Sequence, residues 1–451
     1  MWVTEILSEY IFRLQPRDIP QTALLSAKRC TLDLLGAALS GFETKSAASV
    51  RSLCKRLFAK GDSSVWFSGV RLQEAAAALA NSAAASALDL DDGHRLAGGH
   101  PGASIIPAAL ATAEALGAGP EELLASIVIG YEIGIRIGAA RDMSSLDTFS
   151  TGRWCSFGAA AACGFLRKAP PGVLAEALAI AGVKSPGLSA AGYSRVMGNS
   201  VKEGIPWSTF TGMAAVNLAG SGFTGPVDIL DHPSYYDSEE IIRGLGRDFE
   251  IERVYFKPYS CCRWIHSALD AMLFILDEHG IAPEKVDKVT VETFERALRL
   301  NNYPNPDSLE AAQYSIPFSL AVAAVDGPSA LLPITSECLG DPGIVSFAEK
   351  VELVADPELD KVFPAKAPAR IVLRTGTKEY TKLVYDAKGD PANPMDQIEL
   401  KAKFRRLSSG LMACGEQDEV IEAVENLEIY GTRRLLNILG RSNARYFHPQ
   451  T

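Results

Sequence analysis

The sequence predicts a mainly α fold: a large helical body, a smaller α+β segment late in the chain, and helices that close it. Three observations carry this. From Pro20 to about Ala219 the chain is rich in Ala, Leu and Gly at helical spacing. Near residue 250 short alternating runs appear, and after Pro394 helical spacing returns. The 451 residues suffice for two large domains, or about three of average size.

Taken in order, Ile6, Leu7, Tyr10, Ile11 and Leu14 share one helical face, so the chain opens with an amphipathic helix. Helices are expected over Thr22–Leu39, Leu72–Leu90, Ser104–Leu116, Glu121–Ile137 and Ser156–Leu166. Ala118-Gly119-Pro120 before Glu121-Glu122 is a helix start with acids in the first turn. Small residues such as Ala75 to Ala78 let helix backbones approach closely, which predicts a tightly packed, nearly all-α body. Ser267–Leu276 reads as helix, and Val286 to Thr293 alternates like a half-buried strand. Arg370–Thr375 and Tyr380–Tyr385 read as a hairpin across Gly376, with helices expected over Ser315–Val325 and Pro342–Leu353. Gln397–Leu407, Gln417–Leu427 and Gly431–Leu439 close the chain as helices.

Composition narrows the function. Lys plus Arg number 44 against 54 Asp plus Glu, a formal net charge of −10, which argues against a nucleic-acid binder. The first residues carry Glu5 and Glu9 where a signal peptide would carry a basic region and an apolar core. The uncharged run Gly204 to Val227 is broken by glycines and Pro226, so no membrane span is expected. The eight cysteines form no CxxC pair and read as thiols of a reducing compartment, which makes the expected location cytoplasmic.

Four clusters could carry chemistry. In Asp89-Leu90-Asp91-Asp92-Gly93-His94 and on to Gly99-His100-Pro101-Gly102, three acids and two histidines lie between apolar helices. Asp89 and Asp92 are expected on one helical face, and His100 beside carboxylates suits a general acid or base; the plainer reading is a solvated helix end. Lys257-Pro258-Tyr259 through Arg263 to His266, at a helix start, could seat a carboxylate, although a lone histidine is more often structural. The adjacent Cys261 and Cys262 lack the base and orienter of a nucleophilic site and are expected to be packing. Lys202, beside Glu203-Gly204, is either a carboxylate anchor or a surface lysine paired with Glu203. Gln313-Tyr314-Ser315 either lines a cleft or enters a core helix. No dinucleotide fingerprint in a strand–turn–helix setting, Walker loop or HExxH is present, and the single DxDD run lacks a partner cluster, so no metal is expected.

These motifs, together with Gly222-Phe223-Thr224-Gly225-Pro226, Asp326-Gly327, Gly389-Asp390-Pro391 and Lys403-Phe404, resemble the MmgE/PrpD family over nearly the whole chain. That family includes 2-methylcitrate dehydratase, cis-aconitate decarboxylase and iminodisuccinate epimerase. The resemblance implies a helical domain built from both chain ends (residues 1–252 and 398–451), an α+β lid (residues 253–397) and an active site in the cleft between them. It also implies a homodimer, cofactor-free chemistry beside a carboxylate, and active-site places for Asp89, His100, Lys202 and His266. The chain departs from the pattern at several positions. A His-Pro pair common in relatives is replaced by Thr148-Phe149-Ser150, and a histidine after the family's lysine is replaced by Glu203-Gly204-Ile205. Gly93 and Gly102 stand where hydroxyl residues are frequent.

The expected activity is therefore a lyase acting on a small di- or tricarboxylate by proton chemistry alpha to a carboxylate. Lys202, with Arg153 or Lys257, would neutralise substrate carboxylates and stabilise an enediolate. His100, held by Asp89 or Asp92, would be the base and His266 the acid, with Arg153 and Tyr259 among the binding residues. Epimerisation of an amino- or imino-dicarboxylate, and a helical dimer that binds a small acid without turnover, are the alternatives. A terpene cyclase built on the DxDD run is disfavoured by an aromatic content of 8%.

Overall fold

The computed structural model describes residues 1–143, 146, 149–185 and 198–443. The chain is rich in helix with small sheets. Its first half lays down α1 (Val3–Arg13), α2 (Gln21–Gly41), α3 (Lys45–Leu57), α4 (Glu74–Ser86), α5 (Gly102–Leu116) and α6 (Pro120–Ala139). These are followed by α7 (Cys155–Leu166), α8 (Pro171–Lys184) and α9 (Ile205–Gly220). A short antiparallel pair, β1 (Ser63–Val65) with β2 (Val70–Leu72), interrupts the helices and was not foreseen. Three residues per strand are too few to show alternation.

The helices start and pack as their residues dictate. Pro120 occupies the first turn of α6, and the Glu122 carboxylate accepts the Gly119 N–H. α6 is buried along its length from Leu123 to Gly138, and it meets α7 through glycine. A Cβ on Gly158 would fall 2.6 Å from the Gly130 carbonyl oxygen, so neither helix tolerates a side chain at the crossing. On α2, Gly36 lies against Phe404 and Leu407 of α13 (Gln397–Ser408), whose side chains a Cβ would meet at 3.3 Å. That contact seats the late helix on the early one, and the buried pair Lys403 Nζ–Asp33 Oδ1 at 2.6 Å fixes it.

Between these ends, α10 (His266–Glu278) packs on β5 (Ala369–Thr375) and β6 (Lys378–Val384). The sheet order is β4-β3-β5-β6, with β3 (Lys288–Thr293) parallel to β4 (Val351–Ala355) and antiparallel to β5. Val289 and Val291 face the core opposite Leu373 and Ile371. α11 (Ile316–Val325) is almost wholly buried. One expectation fails here: the helix foreseen over Pro342–Leu353 stops at Ala348 as α12 (Pro342–Ala348), and Val351 onward pairs as β4. Val351, Leu353 and Val354 are β-favouring residues that gain ladder bonds beside β3. α14 (Cys414–Glu425) and α15 (Thr432–Leu439) end the described fold. Among the described residues no helix is long and apolar enough to cross a membrane.

Candidate active site

The site begins where α4 stops. The helix foreseen to Leu90 ends at Ser86, and Asp89 takes a left-handed conformation with φ +55°. The turn sends Asp89 and Asp92 to different partners, so the shared face expected of them does not exist. Lys257 Nζ lies 2.8 Å from Asp89 Oδ2 and donates to the Asp89 carbonyl, also at 2.8 Å. Lys202 Nζ lies 3.5 Å from Asp89 Oδ1 and donates to Gln313 Oε1 at 2.8 Å. Gln313 is itself aimed by its Nε2 donating to the Ala87 carbonyl. Burial alone pushes the Asp89 carboxyl up, but the charges of Lys202, Lys257 and His100 outweigh it and hold the group well below the usual carboxylate range. Lys257 is fully buried; burial disfavours its charge, yet Asp89 outweighs that and raises the ammonium above its ordinary value.

His100 stands over this carboxylate. Its Nδ1 lies 2.8 Å from the Asp92 carbonyl oxygen, a bond that places the proton on Nδ1. Its Nε2 faces Asp89 Oδ1 at 3.7 Å. The His100 backbone N–H donates to Thr151 Oγ1, which donates to Glu203 Oε2 at 2.7 Å. Lys202 and Glu203 both adopt left-handed backbone (φ +45° and +57°), followed by Gly204 at +72°. Holding two non-glycine residues there costs about 1–3 kcal/mol each, and the Thr151–Glu203 bonds are part of what holds them. Glu203 thus fills the place of the missing histidine with a carboxylate that braces the loop. Of the replaced His-Pro region, Phe149 and Ser150 line the cavity and Thr148 lies outside the described residues.

A cavity of about 140 Å³ opens above Lys202 and His100. Arg95, Tyr255, Arg263 and Tyr314 form its polar wall, and Phe149, Trp264 and Phe363 its aromatic one. Phe149 meets Trp264 edge-on at 5.9 Å and stacks on Phe363 at 6.0 Å.

Of the eight residues singled out in the sequence, Asp89, His100, Lys202 and Lys257 come together, and the other four do not. Asp92 turns inward: its carboxylate accepts from the Gly102 N–H at 2.9 Å and from the Tyr131 hydroxyl at 2.7 Å, and burial pushes it up to about 7. Tyr259 reaches Asp270 rather than the cavity. Arg153 is absent from the cavity wall, and the groups that sense its charge are Arg141 and Tyr236. His266 is fully buried beneath the wall, where its Nδ1 accepts from Arg263 Nη1 at 3.0 Å and its Nε2 donates to the Cys261 carbonyl. Burial, with the charges of Arg263 and Lys257, lowers its pKa well below the ordinary histidine value. It is a neutral strut, not the acid expected of it.

Sequence reasoning placed Arg263 in a possible carboxylate seat and Gln313 and Tyr314 beside a possible cleft without giving them roles, and it gave Arg95 none although it stood inside a marked motif. Tyr255 gave no signal at all. The glycine departures now have a cause: a Cβ on Gly93 would lie 2.3 Å from the Tyr255 ring, and one on Gly102 would lie 2.5 Å from Asp92 Oδ1. Asp89, Asp91 and His100 offer donor atoms within 4.8 Å of one another. Ammonium groups already face both Asp89 oxygens, so this donor set is poorly matched to a metal cation.

A carboxylate held by two lysines, with an imidazole facing it and guanidinium groups in the cavity wall, suits acid–base chemistry on a small anion. The chain belongs to the MmgE/PrpD family: the family's N-terminal domain matches residues 5–236 and its C-terminal domain residues 259–429. It is 26% identical to a cis-aconitate decarboxylase of Aspergillus terreus, over 97% of this chain and 94% of that protein. A cis-aconitate decarboxylase-like protein of Aspergillus oryzae is 26% identical over 94% of both chains. The cis-aconitate decarboxylase of Mus musculus is 26% identical over 94% of this chain and 91% of its own. The resemblance read from the sequence is thereby borne out, and the chain is an enzyme of the lyase type.

Proposed function

We propose that this protein is a carboxy-lyase acting, without a cofactor, on a small unsaturated di- or tricarboxylate. The observation that carries the choice is a single imidazole: among the described residues, His100 lines the cavity with a ring nitrogen, Nε2, that makes no hydrogen bond to the protein. The other histidine in the wall, His94, uses Nδ1 to accept from Ala97 and has Nε2 against Glu250. Dehydration calls for a base and an acid, and epimerisation for groups on two faces of one carbon. Decarboxylation needs only the acid.

In this reading one carboxylate leaves as CO₂. The electron pair of the broken C–C bond shifts through the double bond to the carbon alpha to a remaining carboxylate. Lys202, aimed by Gln313 and Asp89, stabilises the enediolate charge, and the His100 imidazolium delivers a proton from Nε2 to that carbon. Water then restores the proton. The relatives named cis-aconitate decarboxylase support the same chemistry. Residues 1–252 with 398–451 form the helical domain and 253–397 the second, the seating of α13 on α2 being the contact that favours this division. The working assembly is a homodimer in the cytoplasm.

The test is CO₂ release from a panel of cis-aconitate, citrate, 2-methylcitrate and iminodisuccinate. CO₂ from the unsaturated acid, lost in His100→Asn, is the expected result. Water loss from citrate or 2-methylcitrate, or inversion of iminodisuccinate, without CO₂ would overturn the reading.

A further inference from the structure

Besides its polar groups, the cavity carries a wall of rings that the proton transfer does not use. Phe149, Trp264 and Phe363 line it. They come from distant stretches of the chain and brace one another: Trp264 meets Phe363 at 5.5 Å with the rings perpendicular, and Phe149 contacts both. Behind them the fully buried Phe294 stacks on Phe363 at 4.2 Å and meets Trp264 edge-on at 5.6 Å. Arg296 Cζ lies 3.9 Å from the Phe149 centroid, and Arg296 Nη2 donates to the Leu146 carbonyl. The protein itself thus sets the positions of the rings.

Two features make this wall more than core packing. Phe149, Trp264 and Phe363 are only partly buried, although Phe294 beside them is closed off. The wall also stands next to the acid: a Cβ on Gly98, two residues before His100, would lie 3.5 Å from Phe149. Phe149 falls in the stretch where relatives commonly carry a His-Pro pair, so an apolar ring takes the place of a polar group. A charged arm of the substrate would lose its water against Phe149 and Phe363, which offer no N–H or O–H in return. Hydrocarbon gains there, about 3- to 4-fold in affinity for each methylene covered.

We propose that the substrate carries an aliphatic branch that lies against Phe149, Trp264 and Phe363, so that the enzyme prefers an alkyl-branched acid to the unbranched one. The inference rests on the polycarboxylate reading of the site and adds the apolar branch to it. Calorimetry with the full chain would compare butanedioate with its 2-methyl and 2-propyl derivatives, saturated acids that lack the double bond the reaction needs. The wild-type protein should bind the propyl acid about 10-fold more tightly than the methyl acid, the gain of two covered methylenes. Phe149→Asn should cut that ratio to about 3-fold or less, whereas Phe149→Leu, still apolar, should keep most of it. Melting temperatures show whether each variant is folded, and the wild-type series decides alone if the asparagine variant is not. Equal affinity for the three acids, tightest binding of the unbranched one, or an unchanged ratio in folded Phe149→Asn would overturn the proposal. A rising series together with no CO₂ release from any acid would leave the apolar subsite standing and remove the decarboxylase reading. CO₂ from cis-aconitate with a flat series would do the reverse.

Discussion

His100 and His266 both stand in motifs that suggest catalysis, yet their surroundings are opposite. His100 has one ring nitrogen tied to a backbone carbonyl and the other facing the cavity. His266 has both nitrogens bonded and no exposure. His100→Asn should therefore lower kcat about 10²- to 10⁴-fold with KM little changed, measured by initial rates on the active acid. His266→Asn, which retains an acceptor for Arg263, should keep the wild-type shape of the pH–rate profile; loss of one limb of that profile would restore His266 as an acid. The sequence supplied both histidines but not their solvation. Spacing places a residue on an element but does not give its side chain's partners: Arg263 and Cys261, three and five residues before His266, tie up both of its ring nitrogens.

At the scale of elements, the site hangs on two irregular turns rather than on helix faces. The turn after α4 carries Asp89 and the turn before α9 carries Lys202, both in left-handed backbone. Helix periodicity could find the flanking helices and did, to within a few residues, but it extended α4 through the turn and so put Asp89 and Asp92 on one face. The parallel pairing of β4 was hidden for a related reason, since its partner β3 lies almost sixty residues earlier. The glycines are legible only with the structure: Gly102→Ser would push a side chain into the Asp92–Tyr131 bond, and overpacking of this kind costs about 1–3 kcal/mol. Thermal unfolding of that variant should show the loss, with the same CO₂-releasing activity per folded molecule if only packing is disturbed.

At the scale of the molecule, buried charges tie distant parts together and make stability depend on pH. Lys403 reaches from α13 to Asp33 on α2 and to the Leu90 carbonyl beside the site. Lys403→Met leaves Asp33 buried without its cation and should cost about 3–5 kcal/mol in denaturant unfolding. Asp92 acts through protonation. Its folded pKa is raised to about 7 by burial, against about 3.9 for an unfolded aspartate, so the folded state holds the extra proton between those values. Its contribution is fully present below about pH 4 and is lost as pH rises through 7, a change on the order of 4 kcal/mol. Asp92→Asn should flatten the fall in unfolding free energy between pH 4 and 7. Glu132, also raised to about 7 by burial, keeps part of the slope.

The central claim is that a single acid quenches the carbanion left by CO₂, and its most direct test is proton NMR of turnover in D₂O with cis-aconitate. The account predicts a product that has lost one carboxylate and carries one deuterium on the carbon alpha to a remaining carboxylate, while unreacted acid stays unlabelled. Deuterium washed into an acid that keeps all its carboxylates would contradict it.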